Sequence, residues 1–283
     1  MNEMRSDVQD AKNAVKDLGF EQKREKIKRW LSSSDPSTNY NKALQQRQKG
    51  SGRWFLQIEA FAKWKKRQNS FLWLSGIPGS GKTILSSTII EDLEKTLQCQ
   101  SLLYFYFDFS DTDKQTLESM VRSLMSQLYS KCGGVSKELD DLFSSCGDGH
   151  QKPSCELFCK AFLHMMEQVK EVWIILDALD ECCTRKGPPT EGLLSWMREV
   201  LNSEQRSVHL LVTSRPEQDI KSVVSEFAFK DDMVNIQGDL ITNDIREYVH
   251  TRVKQHEGFK RWRSQPEVQD EIETVLMEKV DGM

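Results

Sequence analysis

No stretch of this 283-residue sequence approaches the ~20 consecutive apolar residues that a membrane helix needs; its apolar runs are strand-sized, such as VWIIL at 172–176. A basic excess is missing too. Lys and Arg number 39 against 43 Asp and Glu, a net charge of -4, so no global positive field gathers nucleic acid or anionic lipid. The amino terminus, MNEMRSDVQDAK, lacks the apolar segment of a secretory signal, and a cytoplasmic location is expected. Seven cysteines, an odd number without regular spacing, fit reduced thiols rather than a disulfide framework. Cys155 and Cys159 share a face of a predicted helix, but His164 falls on roughly the opposite side at 3.6 residues per turn, so no metal site is expected there. The sequence also lacks the Asn- or Thr-Lys-x-Asp motif of guanine-reading loops and any histidine, cysteine and carboxylate constellation for nucleophilic or zinc chemistry. No repeat with a period of 33–45 residues is present. His150, His209, His250 and His256 read as isolated surface or packing residues.

With 38% hydrophobic and 29% charged residues, the composition is that of a folded domain with a polar extension. Residues 1–31 carry apolar positions at near-helical spacing, from Val8, Ala11, Val15 and Leu18 to Ile27, Trp30 and Leu31, which predicts a helical segment. The KREKIKR run within it reads as a solvated helix face. Residues 32–52, rich in Ser, Asn, Gln and Gly, read as a linker. Over 53–238, short apolar runs alternate with amphipathic helical patterns, the mark of a parallel sheet with crossover helices. Strands are predicted at 71–74, 103–109, 172–176, 210–213 and 233–236. Helices between them include Leu85, Ile89, Leu93 and Leu97, and Leu117, Val121, Leu124 and Leu128. From 239 to 283 only helical patterns follow, at Ile245, Val249 and Val253, then Val268, Ile272, Val275 and Leu276, so a helical subdomain is expected to start there and to be truncated.

The chemistry-bearing motif is GIPGSGKT at 76–83, which fits a glycine, four free positions, then Gly, Lys and Ser or Thr. In this P-loop, Gly76, Ile77, Pro78, Gly79, Ser80, Gly81, Lys82 and Thr83 follow a predicted strand and open a predicted helix. Backbone amides would converge on phosphate oxygens there, helped by the positive end of the helix. Lys82 is expected on the outer phosphates and the Thr83 hydroxyl on a magnesium ion. VWIILDALDE at 172–181 places Asp177 at a strand's carboxyl end, where a second magnesium-organising carboxylate belongs. Glu181 is the candidate general base for an attacking water, with Asp180 as runner-up or supporting partner. HLLVTSRPE at 209–217 places Arg215 just past a strand, where a guanidinium reads a terminal phosphate or a surface arginine sits in a turn. The expected cofactors are Mg2+ with ATP/ADP or GTP/GDP.

These motifs in this order, with GSGRWFL at 50–56, FLWLSGIPGSGKT at 71–83, LYFYFDFSDTDKQT at 103–116, WIILDALDEC at 173–182 and LLVTSRPE at 210–217, resemble the NACHT class of STAND P-loop NTPases. The resemblance is to the fungal NOD-like receptors with a nephrocystin-3-like N-terminal/NACHT region. It implies an additional-strand (ASCE) α/β fold, a parallel five-stranded sheet with flanking helices, with the strand before Arg215 lying between the P-loop strand and the Asp177 strand. It also implies a small residue after the magnesium-binding Asp, here Ala178, and a nucleotide switch that hydrolyses slowly, oligomerises and signals in incompatibility cell death. The effector, winged-helix and repeat domains of a full receptor have no counterpart in the sequence. A non-hydrolysing scaffold acting by self-association or with a full-length receptor is therefore the alternative. A small-molecule kinase would need an arginine-rich lid segment, which is missing.

Overall fold

The computed structural model describes residues 18–31, 34–96, 101–133, 136–187, 192–202, 207–236 and 239–280. Five strands form one sheet: β1 (Ser70–Ser75), β2 (Leu102–Tyr106), β3 (Glu171–Asp177), β4 (Ser207–Ser214) and β5 (Met233–Asn235). Their order is β2-β3-β4-β1-β5 with every neighbouring pair parallel. The strand preceding Arg215 thus lies between β1 and β3, as the resemblance implies.

The near-continuous apolar runs exist because both faces of this sheet are covered. Side chains alternate with the period of two that a strand dictates. Phe71, Trp73, Leu103, Phe105, Ile174, Leu176, Leu210 and Val212 enter one core. Leu72, Leu74, Trp173, Ile175 and Leu211 enter the other. Helices α5 (Leu117–Lys131), α7 (Cys155–Glu167), α8 (Leu193–Leu201) and α9 (Gln218–Phe227) supply the first core, with Phe162 and Trp196 stacked at 6.1 Å between ring centroids. The second core is covered by α3 (Glu59–Lys66) and α4 (Lys82–Thr96). Serine or threonine N-caps start α5 and α7. Thr116 accepts from the Ser119 amide at 3.1 Å, and Ser154 from Leu157 at 3.3 Å, each worth about 1 kcal/mol.

Two expectations need correction. The 32–52 stretch is not simply a linker, because it holds α2 (Ser37–Gln46), whose Tyr40 and Ala43 are buried. Tyr40 donates its hydroxyl to Glu94, and Arg47 just beyond pairs with Glu91 at 2.7 Å, both on α4. Its polar composition masks the two buried positions that pay for its docking. The second strand ends at Tyr106 rather than at 109. Phe107 still donates to the Asp177 carbonyl, but the Asp108 amide turns to the Lys114 carbonyl, and the Asp111 carboxylate caps a short turn. Asx turn chemistry therefore overrides the apolar run there. In the amino-terminal segment, residues 18–31 form a single helix, α1, with Ile27 and Leu31 buried and Trp30 against Phe143 and Phe158. The apolar positions Val8, Ala11 and Val15, and Leu97, lie outside the described residues.

α6 (Lys137–Ser145) packs on α7, and α10 (Asp239–Gln255) and α11 (Pro266–Val280) form the expected helical pair. Buried Gln269 donates to the Val253 carbonyl between the last two. No helix among the described residues is long and apolar enough to cross a membrane.

Phe162 is fully buried against Trp196, so Phe162→Ala should cost about 3–5 kcal/mol in urea denaturation at an unchanged m-value. A loss below about 1 kcal/mol would contradict this packing.

Candidate functional site

β1, β3 and β4 all deliver their carboxyl ends to one edge of the sheet, the crevice where open α/β folds bind ligands. The glycine-rich loop at 76–81 links β1 to α4 at that edge. The Gly76 amide donates to the Ser214 carbonyl at 3.2 Å, which fixes the loop's start to β4. Gly79 and Gly81 both have φ of 82°, a left-handed conformation that side-chain-bearing residues rarely adopt, and a Cβ at either position would meet no atom within 4 Å. The glycines there serve the backbone path and leave its outer side open.

Lys82 opens α4 and folds back over this loop. Its ammonium donates to the carbonyls of Gly76 and Ile77, both at 2.8 Å, and to Ser80 Oγ at 3.4 Å. Burial lowers its pKa; the carboxylates of Asp180, Asp177 and Glu181 act against this and Arg215 adds to it. Asp177, Asp180, Glu181 and Arg215 thus share one electrostatic neighbourhood with Lys82.

Asp177 ends β3 and is almost fully buried. Three hydroxyls donate to its carboxylate: Thr83 to Oδ2 at 2.7 Å, Ser86 to Oδ1 at 2.6 Å and Thr213 to Oδ1 at 2.7 Å. Desolvation nevertheless raises its pKa, the three hydroxyls and Lys82 opposing the shift. Hydrogen bonds to a charged group are worth about 1.5–3 kcal/mol each, the same order as the several kcal/mol that burying an ion costs. Ala178, the small residue the resemblance implies, has φ of 58° and starts the 3-10 turn Leu179–Glu181. Its amide donates to Thr213 Oγ1 at 3.0 Å.

The two acidic residues of that turn are placed differently. Asp180 grips Arg215, accepting from its amide at 2.9 Å and pairing with Nε at 3.1 Å, so both of its oxygens are engaged. Glu181 accepts from the Phe109 amide at 2.8 Å. Burial raises its pKa, with the Phe109 amide opposing and Asp180, Asp108 and Asp177 adding to the rise. Glu181, Asp180 and Arg215 border a cavity of about 480 Å³ that also includes Arg185, bound in turn to Glu217.

A larger cavity of about 620 Å³ opens beside Gly79 and Gly81, walled by residues 45–54 and by Ile241, Asp244, Tyr248 and Arg252 of α10. The Asp244 carboxylate accepts from the Gly52 amide at 2.6 Å and ties these walls together. Gly52 is required there: its φ is 78°, and a Cβ would lie 2.9 Å from Leu85 Cδ2. The buried Trp54 Nε1 has no hydrogen-bond partner among the described residues and belongs to the wall. Sequence reasoning missed this second wall, along with Ser86 and Thr213 as partners of Asp177. Ser86 carries a legible signal, since it lies three residues after Thr83 and so on the same helix face.

A five-stranded parallel sheet flanked by helices, with a glycine-rich loop between the inner strand β1 and α4, defines an α/β fold of the P-loop NTPase type. The family described as nephrocystin 3, N-terminal, matches residues 50–215, more than half of the sequence, and the chain belongs to it. The chain is also similar to the vegetative incompatibility protein HET-E-1 of Podospora anserina, 26% identical over 136 residues. That match covers 46% of this chain and 10% of the relative, so the chain spans only a small part of that protein. The two findings bear out the NACHT and NOD-like relationship that the motifs suggest.

The raised pKa of Asp177 has a defined sign. Its folded-state value lies above the unfolded one, so its contribution to stability is full below the unfolded value of about 3.9 and is lost as pH rises through the folded value. Above that range the burial of the ionised group is therefore a cost. Asp177→Asn should melt about 2–4 °C above the parent protein at pH 7.5 in the absence of ligand. A lower melting temperature for the variant in differential scanning calorimetry would contradict this account.

Proposed function

We propose that this chain is a magnesium-dependent purine nucleotide switch that hydrolyses its nucleoside triphosphate slowly. The observation that carries the reading is the pairing, at one sheet edge, of an open glycine cradle with a buried Asp177 on which the Thr83 hydroxyl closes at 2.7 Å. Several features of the site fit a nucleotide and a magnesium ion. Gly79 and Gly81 leave the outer side of the loop open, where backbone amides suit phosphate oxygens. Lys82 makes no ion pair among the described residues and uses its donors on its own loop, so it is free to exchange carbonyl partners for phosphate oxygens. The cavity of about 620 Å³ has the volume of a small-molecule site and the buried donor of Trp54 to offer a nucleoside.

Thr83 and Asp177 would hold the magnesium ion. When bound, that ion supplies positive charge at the phosphate oxygens. The chain's own groups do the rest. Lys82 holds the outer phosphates by charge, and Glu181 takes the proton of the attacking water once its carboxylate is released from the Phe109 amide. Asp180 does not compete for that role, because Arg215 occupies both of its oxygens; its part is to aim the guanidinium at the cavity rim.

A second reading, a nucleotide-binding scaffold without turnover, is favoured by the engagement of both acidic residues. In either reading the chain works by association with itself or with a longer receptor, in a process of the incompatibility type named for its relative, at a cytoplasmic location.

Purified without added nucleotide, denatured and analysed by chromatography and mass, the protein should release near-stoichiometric ADP or GDP. Lys82→Ala should weaken binding by about 100-fold or more, since charge-assisted phosphate contacts are lost, and unchanged affinity would remove the P-loop assignment. Glu181→Gln should keep its affinity in equilibrium titration and turn over about 100-fold more slowly. A protein that binds tightly and never hydrolyses, with or without this substitution, establishes the scaffold.

A further inference from the structure

The Phe109 amide that occupies Glu181 belongs to a wound loop, residues 107–116, between β2 and α5. Asp108 organises it from within, accepting from the Ser110 amide and hydroxyl, while Gln115 donates to the carbonyls of Asp108 and Phe109. The loop is clamped on two sides. On one, Phe109 holds Glu181 and the Gln115 carbonyl accepts from the Cys183 amide at 2.8 Å. On the other it meets Asn39 of α2. The Asn39 amide nitrogen donates to Asp108 at 3.2 Å, and its oxygen accepts from Lys114 Nζ at 2.6 Å. Lys114 is only 7% exposed, so its ammonium depends on Asn39 and on Asp111 at 3.4 Å for stabilisation. Phe109, beside its bound amide, is 74% exposed; packing does not hold the loop tip, so these polar contacts must.

We infer that Asn39 is a positioning residue for Glu181: by fixing both ends of the 107–116 loop, it keeps the Phe109 amide on the carboxylate and so restrains hydrolysis from the amino-terminal helices. A carboxylate committed to an anchored amide cannot also orient and deprotonate water with that oxygen. Displacing α2 removes one donor and one acceptor together, loosens the loop and frees Glu181. Any load on the segment that precedes the nucleotide fold is thereby transmitted to the hydrolytic group without contact with the nucleotide. The effect on rate rests on the proposed role of Glu181 as base; the tether itself does not.

The test uses the full chain and reads two quantities. Hydrogen exchange followed by mass spectrometry should show residues 107–111 exchanging about tenfold faster in Asn39→Ala. Turnover of ATP or GTP should rise about threefold at unchanged nucleotide affinity, a change in kcat alone. Asn39→Asp, which keeps the acceptor for Lys114 but sets a like charge against Asp108, should do the same, and Lys42→Ala on the exposed side of α2 should alter neither quantity. Loop exchange unchanged in both Asn39 variants overturns the tether, whether or not the protein hydrolyses nucleotide. Faster exchange with turnover unchanged or lowered overturns the restraint on Glu181. If the parent protein binds no nucleotide at all, the proposed function fails, and the exchange data still decide the tether.

Discussion

The buried carboxylate of Asp177 is the constraint from which the rest of the site follows. A charge at the end of a fully buried strand persists only if donors surround it, and here they come from two other elements: Thr83 and Ser86 from α4, and Thr213 from β4. Those bonds lock the first turn of α4 against the ends of two neighbouring strands, and so fix where the glycine-rich loop must lie. Thr213 carries the constraint one step further. It donates to Asp177 and accepts from Ala178, which is held in a left-handed conformation. The residue after Asp177 turns sharply because its amide has a prescribed partner, and a small side chain lowers the cost of that turn. Asp180 and Glu181 then fall at the same edge of the sheet as the glycine-rich loop.

The two charged groups at the centre of the site are strained in opposite senses. Burial lowers the pKa of Lys82 and raises that of Asp177, so the protein disfavours the charge on each. They do not neutralise each other by contact, since Lys82 is turned onto the carbonyls of its own loop and Asp177 onto hydroxyls. This arrangement suits a site that accepts an anion and a cation together, because phosphate oxygens would favour the charged lysine and a divalent ion the charged aspartate. Sites of this kind commonly trade stability for function. The same logic separates Asp180 from Glu181: one is neutralised by Arg215, while the other keeps an elevated pKa and only an amide for company, the condition under which a carboxylate is a useful base near neutral pH.

Much of this was legible in the sequence because the signals were local. The strands β1, β3 and β4 are apolar runs ended by polar residues, and the glycine-rich loop stands between a strand and a helix, so their identity survives without knowledge of the fold. What was not legible depended on partners far away in the chain. α2 looked like a linker because only Tyr40 and Ala43 of its ten residues are buried, and its docking rests on Glu91 and Glu94 of another helix. β2 appeared longer because Phe107 and Phe109 extend an apolar pattern, yet Phe109 is exposed and the chain obeys the Asp108 and Asp111 turns instead. Thr213 read as a strand end, and nothing in its neighbourhood along the chain marks it as a partner for a carboxylate 36 residues away. The wall of the larger cavity joins Gly52 to Asp244 across 192 positions, a distance over which composition and periodicity carry no information.

The same long-range contacts explain why the amino-terminal helices belong to the mechanics of the site. β2 is at one edge of the sheet, so the loop that follows it has no neighbouring strand on its outer side and must find other partners. It finds Glu181 and Cys183 on the inner side and Asn39 on the outer. Lys114 sharpens the dependence: a nearly buried ammonium whose shortest hydrogen bond goes to a side chain on α2 makes the loop's conformation sensitive to that helix in a way that a solvent-exposed ion pair, worth less than about 1 kcal/mol, would not. α1 then anchors the segment before α2 through Trp30, which donates to the Gln151 carbonyl and packs on Phe143 and Phe158. The path from α2 through the edge loop to Glu181 is a run of direct contacts. A sheet edge, elsewhere a liability to be covered, becomes the place where α2 reaches the loop that holds Glu181.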